Sequence, residues 1–164
     1  MPDLLTQILT AVRRLDEERT LRGILDALAD AAASAGLHVA VLLVDGTELR
    51  IYRHHGFERG GVPREVGITS SVALAQALAT CRRIAVAGDR TSDATPAFLR
   101  PGPGRHGLIL PLVVDQSAVA LVFVEGPADI IDWGDVVEVL VRHGSARLET
   151  VTSQRTVEAL TTVF

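Results

Sequence analysis

Histidines, a single cysteine and several aspartates are the side chains in this sequence with the clearest capacity for chemistry. His54 and His55 are adjacent, and because neighbours on a strand point to opposite faces, they are poorly placed to bind one metal ion. His106 stands alone and offers a haem only one axial ligand. Two arginines follow Cys81 and favour a thiolate suited to redox sensing, although a single cysteine more often fills a small buried space. We expect no metal and no cofactor.

The side chains that most enzymes need are missing or badly arranged. The chain contains no lysine and no asparagine, which excludes a Schiff-base lysine and a phosphate-loop lysine. No serine–histidine–aspartate order and no glycine-flanked nucleophile is present. Asp89, Asp93, Asp115 and Asp132 fall in predicted turns and caps, where aspartate binds backbone amides. The sequence therefore predicts a protein that is not an enzyme.

Charge and length limit the kinds of partner and the number of domains that we expect. The net charge is −4 with acids and bases interleaved, which argues against nucleic acid or an anionic membrane as the main partner. Arg82, Arg83 and the arginines between 100 and 105 can clamp an anionic ligand, or they can simply be solvated. With 164 residues, 48% of them apolar, and no signal or membrane-spanning pattern, we expect one cytoplasmic domain.

Helical periodicity marks both ends of the chain. Apolar residues recur every three to four positions over 3–18, and again after the N-cap candidate Thr20 until Ser34-Ala35-Gly36. A short helix is expected after Ser70 or Ser71. A long final helix is expected from its cap, Asp132, to about residue 161.

Strand patterns fill the middle of the chain. The segments 38–44 and 48–54 flank Asp45-Gly46, and the segments 107–114 and 118–124 flank a polar turn, so two antiparallel hairpins are predicted. Pro111 needs a bulge or an unpaired position. Residues 83–87 read as a short strand, and 56–67 and 88–106 as loops. The expected fold is α/β, of the α+β kind. It has a central antiparallel sheet of five to six strands, helices on one face, the 107–124 hairpin at its centre, and long N- and C-terminal helices.

This ordered series of segments resembles a GAF domain, the ligand-sensing module of bacterial signalling proteins, over roughly residues 18 to 148. The resemblance rests on LRGILDAL at 21–28, the hairpin 39–56 ending in Gly56, GITSSV at 67–72, CRRIAVAGD at 81–89 and LILPLV at 108–113. It implies a GAF/PAS-like sheet with a pocket between the sheet, the 69–80 helix and the 88–106 loop. The pocket residues implied are Thr69, Ser71, Asp89, Arg90, Phe98 and His106.

Some activities of the family are excluded because this chain lacks the residues that their motifs require. The cyclic-nucleotide motif of the family contains asparagine and lysine, which this chain lacks. Bilin-binding members use a cysteine usually followed by histidine, but Cys81 is followed by Arg82. GAF-type methionine-sulfoxide reductases need more than one cysteine.

The terminal helices predict an association surface. Residues 1–19 are assigned to a dimerisation helix and residues 20–164 to the GAF-like domain with its long last helix. That helix would be about 45 Å long, longer than such a domain requires, and excess apolar surface tends to be covered by a partner. We predict a homodimer. The interface residues predicted are Leu5, Ile8, Val12, Leu140, Leu148 and Val151.

The sequence thus favours a non-catalytic GAF-type regulatory domain. Ligand binding would shift the packing of the long helix and act on an output domain or a neighbouring subunit. The alternative is a purely structural homodimerisation scaffold whose pocket is filled by side chains.

Overall fold

The computed structural model describes residues 3–57, 61–86, 96–130 and 132–163. The helices are α1 (Leu4–Glu17), α2 (Leu21–Ser34), α3 (Val72–Thr80) and α4 (Asp132–Val163). The strands are β1 (His38–Asp45), β2 (Glu48–His55), β3 (Glu65–Gly67), β4 (Ile84–Val86), β5 (Arg105–Val114) and β6 (Ser117–Pro127). Short 3-10 turns occupy Ile68–Ser70 and Ala97–Leu99.

All six strands form one antiparallel sheet in the order β3-β2-β1-β6-β5-β4. The predicted α+β sheet of five to six strands is confirmed, but its central pair is β1–β6 rather than the β5–β6 hairpin. Strand β3 lies within the predicted loop 56–67. Its sequence shows little strand pattern, because only Val66 of its three residues is buried, and its pairing with β2 is what defines it.

The helices occupy both faces of the sheet. The three long helices α1, α2 and α4 pack on one face, as expected, over a core that includes Leu15, Leu28 and Val41. The short α3 packs on the other face, where Leu74 and Ala77 are fully buried. We call these the helical face and the α3 face. Alternating residues along each central strand supply both cores, because successive strand side chains point in opposite directions.

Local signals set the element ends. Thr20 Oγ1 accepts from Gly23 N at 3.0 Å and Ser71 Oγ from Leu74 N at 3.3 Å, so the N-caps predicted at Thr20 and Ser71 are confirmed. Asp132, predicted as the cap of the last helix, is its first residue. Gly36, with φ +77°, ends α2 in the left-handed conformation. Asp115 and Gln116 both have positive φ, as a tight two-residue hairpin turn requires.

Pro111 is accommodated at an open stretch of sheet edge. The last residue of β5 that pairs with β4 is Ile109, so the following residues have no strand beyond them. Helix α4 covers this edge: Ser145 Oγ accepts from Val113 N and Glu149 Oε1 from Asp115 N, both at 3.0 Å. Position 111 alternates with 113 and faces the same edge, where a missing N–H costs no ladder bond.

Candidate functional site

The α3 face has a closely packed apolar floor. Its fully buried side chains come from the sheet and from the elements that cover it. They include Leu42, Ile109, Leu121 and Phe123 from the strands, and Leu74 and Leu99 from α3 and the 97–99 turn. Gly107 makes room for the ring of Phe123, since a Cβ at Gly107 would lie 2.9 Å from it.

Three predicted pocket residues border this face. Ser71 is buried, but its hydroxyl already caps α3. Thr69 is exposed in the preceding 3-10 turn. Phe98 is half-buried and packs against the α3-face core. The structure therefore brings Ser71 and Phe98 to one apolar layer, with Thr69 at its border. Asp89 and Arg90 lie outside the described residues.

His106 is placed differently from the prediction. It is exposed on β5 and alternates with Gly107 and Ile109, which face α3. It therefore shares its side of the sheet with Leu108, a residue of the helical-face core. His106 does not join the predicted pocket, because strand alternation turns it to the opposite face.

A buried carboxylate lies at one end of the α3 face, at a position for which the sequence predicts no site residue. Glu125 is only 4% exposed. Its Oε1 accepts from Gly102 N at 3.0 Å and lies 2.8 Å from Arg105 Nε, at an angle poor for a hydrogen bond. Arg105 Nη2 donates to the Glu125 carbonyl at 3.0 Å. Among the described residues, His38 Nδ1 lies 3.8 Å from Oε2.

Sequence patterns offered a weak signal for this site. The predicted strand stopped at Val124, whereas β6 continues to Pro127 and pairs Glu125 with both His38 and Gly107. A charged residue that directly follows a wholly apolar strand was the available clue. It remained ambiguous because the same pattern marks many strand ends.

Aromatic rings stand next to His38, the neighbour of this carboxylate. Phe57 packs edge-on against His38 and His54, with ring centroids 5.9 and 6.2 Å away, and is tilted against Phe123 at 6.2 Å. Gly56, with φ +86°, lies against the His38 ring, where a Cβ would overlap it. The end of the α3 face thus combines aromatic surface with a buried hydrogen-bond acceptor, a combination suited to small polar molecules.

His54 and His55 lie on opposite faces, as predicted. His54 contacts Phe57 on the α3 face, while His55 lies 4.0 Å from Asp30 on the helical side. In the parts of the chain that the structure describes, no three or more histidine, cysteine, aspartate or glutamate side chains are grouped to hold a metal.

An ion-pair network joins β2 to α2 on the helical side. Tyr52 donates to Asp26 Oδ1 at 2.9 Å, and Arg53 binds Asp26 at 3.0 Å and Asp30 at 2.9 Å. Burial, followed by the hydrogen bond to Asp26, raises the pKa of Tyr52. Because its partners are satisfied within the chain, this network reads as structural.

Cys81 ends α3 in the left-handed conformation, with φ 51°. It is half-buried, and its Sγ lies 3.6 Å from the Leu78 carbonyl. A surface recess of about 560 Å³ separates it from α4, with Pro111, Arg142 and Ser145 in its walls.

The predicted interface residues divide into two groups. Leu5 is 72% exposed, and Ile8 and Val12 are half-buried on α1. The α4 residues are corrected by the structure: Leu140, Leu148 and Val151 are at most 6% exposed and belong to the core of a single chain. The apolar α4 side chains that reach the surface are Val139, Val157, Leu160 and Val163.

Two apolar grooves adjoin these exposed residues. One, of about 260 Å³, lies between α1, α2 and the start of α4, with Ile8, Ala31 and Val136 in its walls. The other, of about 670 Å³, lies where α4 passes the β5–β6 turn, beside Val119 and Leu160. From residue 152 to 163 every α4 side chain is exposed, a stretch of about 18 Å. Within the described ranges, no helix combines the length and the apolar character needed to cross a bilayer.

No family model matches the sequence, and no curated protein matches it. Solved structures do match its fold. The GAF domain of an Acinetobacter phosphoenolpyruvate-protein phosphotransferase is 12% identical, with a TM-score of 0.68 over 93% of this chain and 97% of that chain. A putative GAF sensor protein from Burkholderia vietnamiensis is 16% identical, with a TM-score of 0.65 over 90% and 94%.

An enzyme shares the same fold. The free methionine-R-sulfoxide reductase from Neisseria meningitidis, solved in complex with its substrate, is 18% identical to this chain. Its TM-score is 0.69 over 92% of this chain and 90% of that chain. At such identities the likeness concerns architecture alone. The chain has a GAF-like fold.

Proposed function

We propose that this chain is a non-catalytic GAF-type regulatory domain that binds a small molecule at the end of its α3 face. The observation that carries the proposal is the buried Glu125, whose Oε2 lies 3.8 Å from His38 Nδ1, with the ring of Phe57 packed against His38. A small-molecule site is mostly apolar and carries a few placed polar groups, and a buried carboxyl in this apolar layer is a group of that kind. Glu125 Oε2 is the acceptor that we assign to the ligand.

Native mass spectrometry and thermal shift test this proposal. The purified protein is examined for a retained mass and then heated with pools of amino acids, amines and nucleosides. We expect one pool to raise the unfolding temperature, because a ligand that binds only the folded state stabilises it. Glu125→Gln should abolish the shift, whereas Asp30→Asn on the helical side should preserve it. No retained mass and no shift with any pool would overturn the proposal.

A scaffold without a ligand is the second candidate, and the packing of the α3 face favours it. Leu74, Leu99, Ile109 and Leu121 are fully buried there. A filled face of this kind can serve dimerisation alone. The scaffold predicts that no pool shifts the unfolding temperature and that this temperature rises with protein concentration.

Association through the terminal helices is part of both candidates. Leu5 on α1 and Leu160 on α4, 57% exposed, present apolar surface next to the grooves. We expect a homodimer by light scattering. Leu160→Glu should weaken it, while Thr162→Glu, on the opposite side of the same helix, should not. A monomer at high micromolar concentration would contradict this association.

We also propose that the domain lacks reductase activity despite its resemblance to the Neisseria enzyme. A disulfide cycle within one chain needs two cysteines, and this chain has only Cys81. No loss of free methionine-R-sulfoxide is expected with dithiothreitol as reductant. Turnover that disappears in Cys81→Ser would refute this.

A further inference from the structure

Strand β4 connects the two faces of the sheet at its edge. Ile84 and Val86 belong to the α3-face core. The residue before the strand, Arg83, reaches instead to the start of α4 on the helical face. Because successive side chains alternate between faces, Arg83 lies on the helical face and its neighbour Ile84 on the α3 face. Since both belong to one short segment of chain, a displacement of β4 from the α3 face also displaces Arg83.

Arg83 makes two charge-assisted contacts with α4. Its Nη1 donates to Asp135 Oδ1 at 2.8 Å and to Glu138 Oε2 at 2.9 Å. These hydrogen bonds raise the pKa of Arg83, and the one to Glu138 lowers the pKa of that carboxyl. Both partners lie in the first two turns of α4, where negative side chains also suit the helix dipole.

Gly134 allows the guanidinium to lie close to the helix. A Cβ at this position would be 3.3 Å from Arg83 Nη2 and 2.8 Å from Leu108 Cδ1. The absence of a side chain at Gly134 therefore leaves room for the Arg83 guanidinium beside the first turn of α4. Further along, α4 is held to β5 through Ser145 and Glu149. Arg83 therefore contacts the turns of α4 that precede those held by Ser145 and Glu149.

We propose that Arg83 is a positioning residue that couples the packing of the α3 face to the first turns of α4. The inference rests on the proposed sensing function, since it supplies the route by which an occupied α3 face would act on the long helix. The coupling itself belongs to the ligand-free protein. It can therefore be measured without knowing the ligand.

Residue-resolved amide hydrogen exchange on the full chain tests the coupling. Arg83→Met should accelerate exchange at residues 137–141 roughly fivefold to tenfold, as expected for losing partly exposed charged hydrogen bonds. Exchange at 145–151 should stay unchanged. Arg83→Lys should retain part of the protection, because a cation remains. The matched control is Arg142→Met, which removes the other partner of Glu138 but leaves β4 attached.

A perturbation of the α3 face provides the second arm. Leu74→Val loosens α3 packing, and we expect it to accelerate exchange at 137–141 in the wild-type background but not in Arg83→Met. Equal patterns in Arg83→Met and Arg142→Met, uniform acceleration along the chain, or an effect of Leu74→Val that persists without Arg83 would each overturn the proposal. If Arg83→Met does not fold, the Asp135→Asn, Glu138→Gln double variant takes its place under the same criteria.

The two proposals fail separately. If the coupling is observed but no small molecule is retained or stabilises the protein, the proposed ligand binding is wrong and the proposed role of Arg83 stands. If a ligand shifts the unfolding temperature but Arg83→Met leaves the exchange pattern unchanged, ligand binding stands and the proposed role of Arg83 is wrong.

Discussion

Truncating Leu148 distinguishes a core role for α4 from an interface role. The side chain is 5% exposed and belongs to the core between the long helices and the sheet. One turn earlier, Gly144 lies so near Leu28 that a Cβ would be 3.0 Å from it, so α2 and α4 are in close contact here. Such a site collapses poorly around a cavity, and Leu148→Ala should cost about 3 kcal/mol of the free energy of unfolding.

For a chain of 164 residues, that loss corresponds to a fall of roughly 6–12 °C in the unfolding temperature. Urea denaturation followed by circular dichroism measures the free energy of unfolding at several protein concentrations. Val139→Ala is the control on the same helix, and its side chain, which is exposed in the single chain, should cost less than about 1 kcal/mol.

The series of protein concentrations decides whether Leu148 has a core role or an interface role. A core residue lowers the stability of the isolated chain, so the difference between wild type and Leu148→Ala should persist on dilution. If the difference vanishes at low concentration, or if the two variants are equally destabilised, Leu148 contributes to an interface and the assignment to the core is wrong.

Three shorter predictions follow from pKa shifts and packing. Because Arg83 lowers the pKa of Glu138, the stability it contributes is present above the ordinary glutamate pKa and is lost on acidification. Glu138→Gln should therefore lose less stability than wild type between about pH 7 and about pH 3, and equal losses in urea titrations would contradict this. The only tyrosine, Tyr52, should ionise in the native protein above the free value of about 10, as followed by tyrosinate absorbance, and return to that value in urea. Gly126→Ala would place a Cβ 2.6 Å from the Trp133 ring, so we expect a loss of about 1–3 kcal/mol and an altered fluorescence of the only tryptophan; an unchanged urea midpoint and spectrum would argue against this tight packing.

Local patterns were sufficient wherever the controlling interaction spans a few residues. Thr20 and Ser71 cap their helices through amides three positions away. Trp133, at the start of α4, donates to the Pro127 carbonyl at 3.0 Å and packs over Gly126. These contacts are visible in sequence because the partners are neighbours in the chain.

Errors arose where the controlling partner is distant in sequence. The resemblance implies a pocket that includes His106, but β5 begins at Arg105 and its alternation turns His106 away. Leu140 and Leu148 were assigned to an interface because the apolar pattern of α4 exceeds what a small domain requires. The sheet and α2 cover this part of the helix, and only the residues after Val151 extend past them.

The sequence by itself determined the four helices, both hairpins and the caps at Thr20 and Ser71, because hydrophobic period and turn chemistry are properties of short segments. Its resemblance to GAF domains indicated the architecture. Only the tertiary structure decided the strand order, the division of the core between two faces, and the meeting of Glu125, Arg105 and His38 at the end of one of them. It also placed Arg83 on Asp135 and Glu138, across about 50 residues of chain. Such contacts depend on the register between strands and helices far apart in sequence, and no local periodicity encodes that register.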